Sequence, residues 1–273
     1  FDEETMVEYG ERTARQLETK ILELGSKTVA AFIAEPIVGA TMGAVPATSG
    51  YFKKIRQICD KYGVLLILDE VMCGMARVGS MYAWQDEEIA PDIVCIAKGL
   101  GAGIQPIGAT LVTNKIYSAI KEGSGFFQHG HTYIGHSAAC SAGLAILDQI
   151  ENAISLKQIK HIGNLIKNSL INKFTNHPNI GDIRGRGLLL GLELVSNKDS
   201  KEAFDPNLKL SDHIKHTAMD NGLICYPGSG TIDGVKGDHV LLAPPFIFQE
   251  KHVDELVDKL AQSINRSLEL IRI

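Results

Sequence analysis

The chain has 273 residues, of which 45% are hydrophobic, and its formal net charge is −5. This mild negative charge gives no reason to expect nucleic acid or an anionic membrane surface as a partner, and no apolar run is long enough to span a bilayer. The five cysteines are scattered without a paired motif, which is typical of free thiols in a reducing compartment, so a cytoplasmic location is expected.

Up to about residue 150 the chain alternates helical and strand patterns, and this alternation predicts a mostly parallel α/β sheet. We expect Thr48 or Ser49 to cap a helix that ends at Gly63. Apolar runs that predict buried strands lie at 29–34, 64–68, 92–97 and 107–113. Patterns that predict helices lie at 5–25, 50–62, 114–121 and 137–150, and predicted loops lie at 38–46 and 123–136.

The remainder of the chain has a different order of elements. Its helical patterns lie at 152–175, 208–220 and 253–270, and its short strand patterns lie at 180–184, 188–195, 223–226 and 240–243. The first two of these strands are expected to form an antiparallel pair. We therefore predict a large domain over 1–152 and a smaller α+β domain over 153–273.

The apolar runs at 64–68 and 92–97 each end in an ionisable residue. Asp69-Glu70 follows the first run, and Lys98 follows the second. Ligands of open α/β sheets lie just outside the carboxyl ends of the parallel strands. Asp69 and Lys98 are therefore expected to face one ligand from two strands.

A carboxylate opposite a lysine amine suits pyridoxal 5′-phosphate. The aldehyde of this cofactor forms a Schiff base with the amine, and an ionised carboxylate keeps its ring nitrogen protonated, so that the ring can accept electrons. Gly99 and the two glycines after it would leave Lys98 on a mobile turn. The same glycines lack the G-x-G-x-x-G spacing of a dinucleotide-binding loop.

Four stretches of the sequence, spread over nearly the whole chain, resemble the class III pyridoxal-phosphate-dependent aminotransferases, the ω-aminotransferase family of fold type I. The longest is LLILDEVMCGMARVGSMYAWQDEEIAPDIVCIAKGLGAGIQPIGA, which contains both strand ends. The other three are AEPIVGATMGAV from Ala34, HGHTYIGHSAACSAGLA from His129 and DIRGRGLLLGLEL from Asp182. The resemblance implies a partial large domain that binds the cofactor, followed by a C-terminal α+β small domain.

The resemblance also implies roles for individual residues. Lys98 would form the Schiff base and transfer the proton, and Asp69 would pair with the pyridinium nitrogen. Val71 would pack against one face of the ring, and Thr132 would bind the cofactor phosphate across a dimer interface. Glu35 and Glu70 match two further acidic positions that support the site in this family. They are therefore candidate cofactor-binding residues.

The implied reaction is a transamination without a metal. An amino group would move from an amine or amino acid donor to a 2-oxo acid, pyruvate or 2-oxoglutarate, in a homodimer with shared active sites. Two alternatives stay open at this point. One is a racemase, aminomutase or decarboxylase that uses the same cofactor and fold, and the other is an inactive truncated module that serves only in dimerisation.

The sequence departs from the family in two places. Family members carry a phosphate-binding loop and an aromatic residue that stacks on the ring before the position of Phe1, so the resemblance implies that an N-terminal part is missing. Many members also place an arginine for the substrate carboxylate shortly before the PP motif. Tyr226-Pro227 stand near that place here, and Lys236 is the only lysine or arginine in 222–246.

Two groups of basic residues have alternative interpretations. His129, His131 and His136 could bind a metal, but their spacings fit no usual zinc pattern, so we interpret them as loop residues near an interface. Arg184 and Arg186 could bind a phosphate or a carboxylate. They could equally be turn residues with surface ion pairs, and the sequence leaves this choice open.

Overall fold

The computed structural model describes residues 4–271, which divide into two compact units. The first unit contains the described residues up to Pro36 together with Ala47–Ala76 and Ser80–Ile154. The second contains Ile37–Pro46, Arg77–Gly79 and the described residues from Ser155 onward. The second unit thus includes two segments from the first third of the chain. The sequence-based domain division, 1–152 and 153–273, stays a prediction.

Helices and strands follow the predicted patterns over most of the described chain. The helices are α1 (Met6–Leu24), α2 (Tyr51–Tyr62), α3 (Asn114–Glu122), α4 (Ser137–Asn152), α5 (Leu156–Phe174), α6 (Leu210–Asp220) and α7 (Val253–Leu270). The strands are β1 (Ala31–Ala34), β2 (Ile37–Val38), β3 (Val45–Pro46), β4 (Leu65–Asp69), β5 (Ile93–Ile96), β6 (Ala109–Val112), β7 (Ile180–Arg186), β8 (Leu189–Leu194), β9 (Tyr226–Ser229) and β10 (Asp238–Leu242).

The sheet of the first unit has the order β1-β4-β5-β6, with β1, β4 and β5 parallel and β6 antiparallel. This confirms the predicted α/β class with a mostly parallel sheet. Leu66 and Leu68 point from β4 into an apolar cluster, whereas Asp69 lies on the opposite face because side chains alternate along a strand. The cluster under the sheet contains Ala14, Ile21, Phe52, Ile55, Ile58, Cys59, Val64, Leu66, Leu68 and Ile89.

The expected cap of α2 is wrong. The N-cap residue is Gly50 in the left-handed conformation at φ 84°, and no side chain caps the helix. Thr48 instead packs against α1, where a Cβ on Gly10 would lie 2.4 Å from its hydroxyl oxygen. Gly63 ends the helix as predicted, also in the left-handed conformation.

The second unit contains an antiparallel sheet of order β7-β8-β10-β9, against which α5 and α6 pack, while α7 packs against both helices. The strand predicted at 223–226 is wrong for its first three residues. The N–H of Leu223 bonds to the carbonyl of Ala218 at 2.8 Å and completes the end of α6 after Gly222. The strand therefore begins only at Tyr226, which pairs with Leu241 of β10. The loop predicted over 38–46 overlaps the short pair β2-β3, which begins one residue earlier, at Ile37.

Arg184 is a structural cation within the second unit. Its guanidinium donates to the carbonyl of Gly43 at 3.0 Å and to that of Met42 at 2.6 Å. It also forms ion pairs with Glu193 and with Asp182, the latter at 3.2 Å. All three guanidinium nitrogens of Arg184 have hydrogen-bond partners. The structure therefore favours a role in holding the 37–46 segment over a role in binding a phosphate or a carboxylate.

His239 on β10 lies beside this ion pair and is fully buried. A Cβ on Gly43 would lie 2.7 Å from its ring, and one on Gly228 would lie 2.6 Å from it. Burial, reinforced by the nearby charge of Arg184, lowers the pKa of His239 below its usual value. The folded unit therefore holds this imidazole in its neutral form.

Residues 4–271 contain no helix with both the length and the apolar character that crossing a membrane would require.

Replacing Phe52 by alanine is expected to lower the free energy of unfolding by about 3–5 kcal/mol, because the ring is 1% exposed and its removal leaves a cavity between α2 and the sheet. Urea unfolding followed by circular dichroism measures the change. Gln57→Ala on the exposed face of the same helix is the control, expected to stay within about 0.5 kcal/mol of wild type. Equal effects of both changes would contradict this assignment of the core.

Acidification is expected to lower the free energy of unfolding through His239. Its folded pKa lies below the unfolded value of 6.5, so the unfolded chain binds more protons in the interval between the two values. The contribution of the neutral His239 to the free energy of unfolding is fully present above pH 6.5. It is lost as the pH falls towards the folded pKa. Denaturant titrations at several pH values should show a shallower pH dependence for His239→Gln, whereas the exposed-residue control His216→Gln should follow wild type. Identical profiles for all three proteins would refute the prediction.

Candidate active site

The carboxyl ends of β4 and β5 bring Asp69 and Lys98 to the same edge of the sheet. The two strands are parallel neighbours, and Asp69 is aligned with Cys95, three residues before Lys98. The N–H of Glu70 continues the pairing, since it donates to the carbonyl of Cys95 at 2.9 Å. The strand β1 runs parallel to β4 and is followed by Glu35 at this edge. Three predicted site residues thus follow or end three adjacent parallel strands.

Asp69 is half-buried on the sheet face opposite the apolar cluster. Its Oδ1 accepts the N–H of Val71 at 2.9 Å, and this bond restrains the direction of the carboxylate. Within residues 4–271, Oδ2 takes no hydrogen bond, so one oxygen remains for a ligand. Val71 is itself half-buried and begins the loop that leaves the strand.

Lys98 begins a tight 3-10 turn, Lys98–Leu100, and its side chain is exposed. Its φ of 36° lies in the left-handed region, which is strained for a residue with a Cβ. The carbonyl of Lys98 accepts the N–H groups of Gly101 at 3.1 Å and Ala102 at 3.0 Å, and these bonds hold the turn. The amine therefore extends from a hydrogen-bonded turn at the end of β5, and the mobility expected for this turn stays a prediction.

A cavity of about 460 Å³ lies beside the Lys98 side chain, lined also by Gly103 and the segment Gln105, Pro106 and Ile107. The last three residues also line a larger cleft of about 740 Å³, whose other wall includes His131 and Tyr133. Thr132, the predicted phosphate ligand, stands between these two residues in the chain and is exposed. The segment 105–107 was not among the predicted site residues, although the stretch that carries the family resemblance contains it.

The loop histidines do not form a metal cluster. Among the described residues, no group of three or more histidine, cysteine, aspartate or glutamate side chains is placed to hold a metal ion. His136 instead caps α4, where its Nδ1 accepts the N–H of Ala139 at 3.4 Å.

Glu70 and Glu35 occupy different environments. Glu70 is fully buried, and its carboxylate accepts the backbone N–H groups of Ala83 at 2.9 Å and Trp84 at 2.8 Å. Glu35 is half-buried directly after β1. The cofactor-binding roles implied for both residues stay predictions.

Arg77 is a half-buried cation that was not among the predicted site residues. It lies over the ring of Phe246 at 4.5 Å and donates to the carbonyls of Leu188 at 3.3 Å and Pro244 at 2.5 Å. Burial lowers the pKa of Arg77 to about 10. These contacts hold the 77–79 segment within the second unit. No local pattern in the sequence indicates them, because the partners lie more than 100 positions away.

The sequence model of the class-III aminotransferase family matches residues 2–264 of the chain. The chain belongs to the class-III aminotransferase family. An aminotransferase of Gibberella zeae is 42% identical over 264 residues, which are 96% of this chain and 52% of that protein. The chloroplastic gamma aminobutyrate transaminase 3 of tomato, Solanum lycopersicum, is 36% identical over 264 residues, which are 96% of this chain and 49% of that protein.

A solved structure has the same fold as this class-III chain. The thermostable (S)-enantioselective omega-transaminase from Thermomicrobium roseum superposes with a TM-score of 0.89 and 34% identity, over 98% of this chain and 58% of that one. This likeness confirms the predicted fold type I. The chain spans about half the length of the curated relatives named above.

Class-III aminotransferases depend on pyridoxal 5′-phosphate, which confirms the cofactor expected from the sequence. The described residues fit this group. They provide an amine beside a cavity of about 460 Å³ and a half-buried carboxylate with an open oxygen, at the ends of adjacent strands. Cavities of roughly 300–1,000 Å³ are typical of small-molecule and cofactor sites.

Proposed function

We propose that this chain acts in a pyridoxal-phosphate-dependent transaminase, which moves an amino group from an amine or amino acid donor to a 2-oxo acid. The observation that supports this most directly is the placement of Asp69 and Lys98 at adjacent parallel strand ends in a class-III chain. The tomato relative is named for γ-aminobutyrate, whose amino group lies at the end of the carbon chain. This supports a donor with a terminal amine, and pyruvate or 2-oxoglutarate is the proposed acceptor.

The pair Asp69 and Lys98 would divide the chemistry. When bound, the cofactor supplies an electron-withdrawing ring that stabilises negative charge on the substrate carbon. The carboxylate of Asp69 would hold a proton at the ring nitrogen through its open oxygen. Lys98 would anchor the cofactor. Once displaced by the substrate amine, it would take a proton from the substrate carbon and deliver it to the reacting carbon of the cofactor.

Val71 and Thr132 would hold the cofactor in place. Val71 donates its main-chain N–H to the Asp69 carboxylate, and its side chain would pack against the ring. Thr132 would donate its hydroxyl to the phosphate of a neighbouring subunit. Its exposure supports this assignment, as does the exposure of Tyr133 and Ile134 beside it, at 73% and 60%. The proposed assembly is accordingly a homodimer with shared sites.

A cytoplasmic location is part of the proposal. All five cysteines are free thiols in the structure, which supports a reducing environment.

Lys98→Ala in the full-length protein is expected to abolish the visible absorption band of the lysine-bound cofactor. Lys115→Ala, at an exposed lysine on α3, should keep the band. Borohydride reduction of wild type followed by peptide mass spectrometry should locate the added cofactor mass on Lys98. An attached mass on a different lysine, or equal bands in wild type and Lys98→Ala, would disprove this role.

Asp69→Asn is expected to lower kcat/KM by about 10²–10³-fold or more, because a neutral amide cannot stabilise a protonated ring nitrogen. The fold should persist, since the amide oxygen can still accept the N–H of Val71. The half-reaction measures the effect. Donor is incubated with holoenzyme without acceptor, and the carbonyl product is counted per active site. One equivalent from wild type supports transamination, whereas no carbonyl product would favour the racemase alternative, and full activity in Asp69→Asn would remove the assigned role.

A further inference from the structure

We propose that Glu70 is a positioning residue, which closes the loop Val71–Tyr82 and thereby directs Asp69 and Val71 towards the cofactor. This inference rests on the proposed function, since it assigns Glu70 a role in that site. It differs from the role of cofactor ligand because the Glu70 side chain itself would not touch the cofactor.

The carboxylate of Glu70 is bonded on both oxygens to the main chain at the far end of the loop. Oε2 accepts the N–H of Ala83 at 2.9 Å, and Oε1 accepts the N–H of Trp84 at 2.8 Å. These residues begin the 3-10 helix Ala83–Glu87, whose first N–H groups have no partners inside the helix. An anion at this position makes charge-assisted hydrogen bonds, which are stronger than neutral ones.

Glu70 is also fixed through its own main chain. Its N–H bonds to the carbonyl of Cys95 on β5, and its carbonyl accepts the N–H of Gly74 at 2.9 Å. A Cβ on Gly74 would lie 2.7 Å from that carbonyl oxygen, so the loop turns tightly over Glu70. The thiol of Cys73 lies 3.5 Å from Oε2. One residue thus joins the adjacent strand, the start of the loop and the end of the loop.

The direction of Asp69 follows from this anchor. Neighbouring residues in extended chain point to opposite faces, so Glu70 shares the face of Leu68 and the apolar cluster, whereas Asp69 takes the other face. Trp84 packs against the same cluster, which places the acceptor and its donor on one side. As long as Glu70 is held there, the Asp69 carboxylate and its bond to the Val71 N–H stay on the ligand side.

The burial and the bonds of Glu70 favour a supporting role over a direct contact with a ligand. The residue is 0% exposed, and both of its oxygens already accept N–H groups. The role proposed for Glu70 is to hold the loop, and thereby to fix the direction of the Asp69 side chain.

The test compares Glu70→Gln with the matched control Glu88→Gln in full-length protein with pyridoxal phosphate. Glu88 is the C-cap residue directly after the same 3-10 helix, and its side chain is 81% exposed. Gln replaces one of the two acceptor oxygens by an NH2 group, so one of the two N–H groups faces a donor instead of its acceptor. We expect amide hydrogen exchange at Ala83 and Trp84 to become roughly tenfold faster in Glu70→Gln, and the Kd for pyridoxal phosphate to rise roughly tenfold.

The pH titration of the visible cofactor band is the third measurement, because its midpoint reports the electrostatic contact between Asp69 and the ring. This midpoint should shift in Glu70→Gln and stay at the wild-type value in Glu88→Gln. If Glu70→Gln does not fold, Glu70→Asp serves in its place, since it keeps the charge but withdraws the carboxylate from both N–H groups. It should then show the same changes to a smaller extent.

Two results would overturn the inference. Unchanged exchange would show that Glu70 does not close the loop, and faster exchange with unchanged Kd and band titration would show that the loop does not position Asp69. A wild-type protein without any cofactor band would instead overturn the proposed function and, with it, the role of Glu70 toward the cofactor. The exchange data of the cofactor-free protein would still decide whether Glu70 closes the loop.

Discussion

The parallel pairing of β4 with β5 is the constraint on which the candidate site depends. It aligns Asp69 with Cys95, and the Glu70 N–H extends the ladder by one bond. Because the strands are parallel, both end at one edge, where Lys98 begins its turn. A slip of one residue would exchange the faces of Asp69 and Glu70, since side chains alternate along a strand. The register therefore decides which of two adjacent carboxylates lies on the face of the candidate site and which is buried on the opposite face.

Among the described residues, half of the non-glycine residues with positive φ lie shortly after the ends of these two strands. Met75 and Ala76 follow β4 with φ values of 53° and 69°, and Lys98 and Ala102 follow β5 with values of 36° and 46°. Residues with a Cβ rarely adopt this region, and each such conformation costs on the order of 1–3 kcal/mol. The hydrogen bonds around Glu70 and the two N–H groups on the Lys98 carbonyl offset this cost. Strain held in this way is typical of sites where side-chain direction matters more than local stability.

Two arginines show how the second unit includes segments from earlier in the chain. Arg184 bonds to the carbonyls of Met42 and Gly43, which are 142 and 141 positions away. Arg77 bonds to the carbonyl of Pro244, which is 167 positions away, and stacks on Phe246. Each guanidinium donates hydrogen bonds to main-chain oxygens, which need partners when they are buried. The short segments 37–46 and 77–79 therefore belong to the second unit, although most of their chain neighbours belong to the first.

The sequence by itself determined the α/β class, most helices and the pairing of a carboxylate with an amine at neighbouring strand ends. These depend on local apolar periodicity and on glycine stops such as Gly25 and Gly63, whose effects act within a few residues. Only the tertiary structure decided that β9 begins at Tyr226, that Glu70 is buried against Ala83 and Trp84, and that Arg184 holds a distant segment. These features depend on strand register and on contacts between residues far apart in the chain. Neither can be inferred from the composition of a short stretch of sequence.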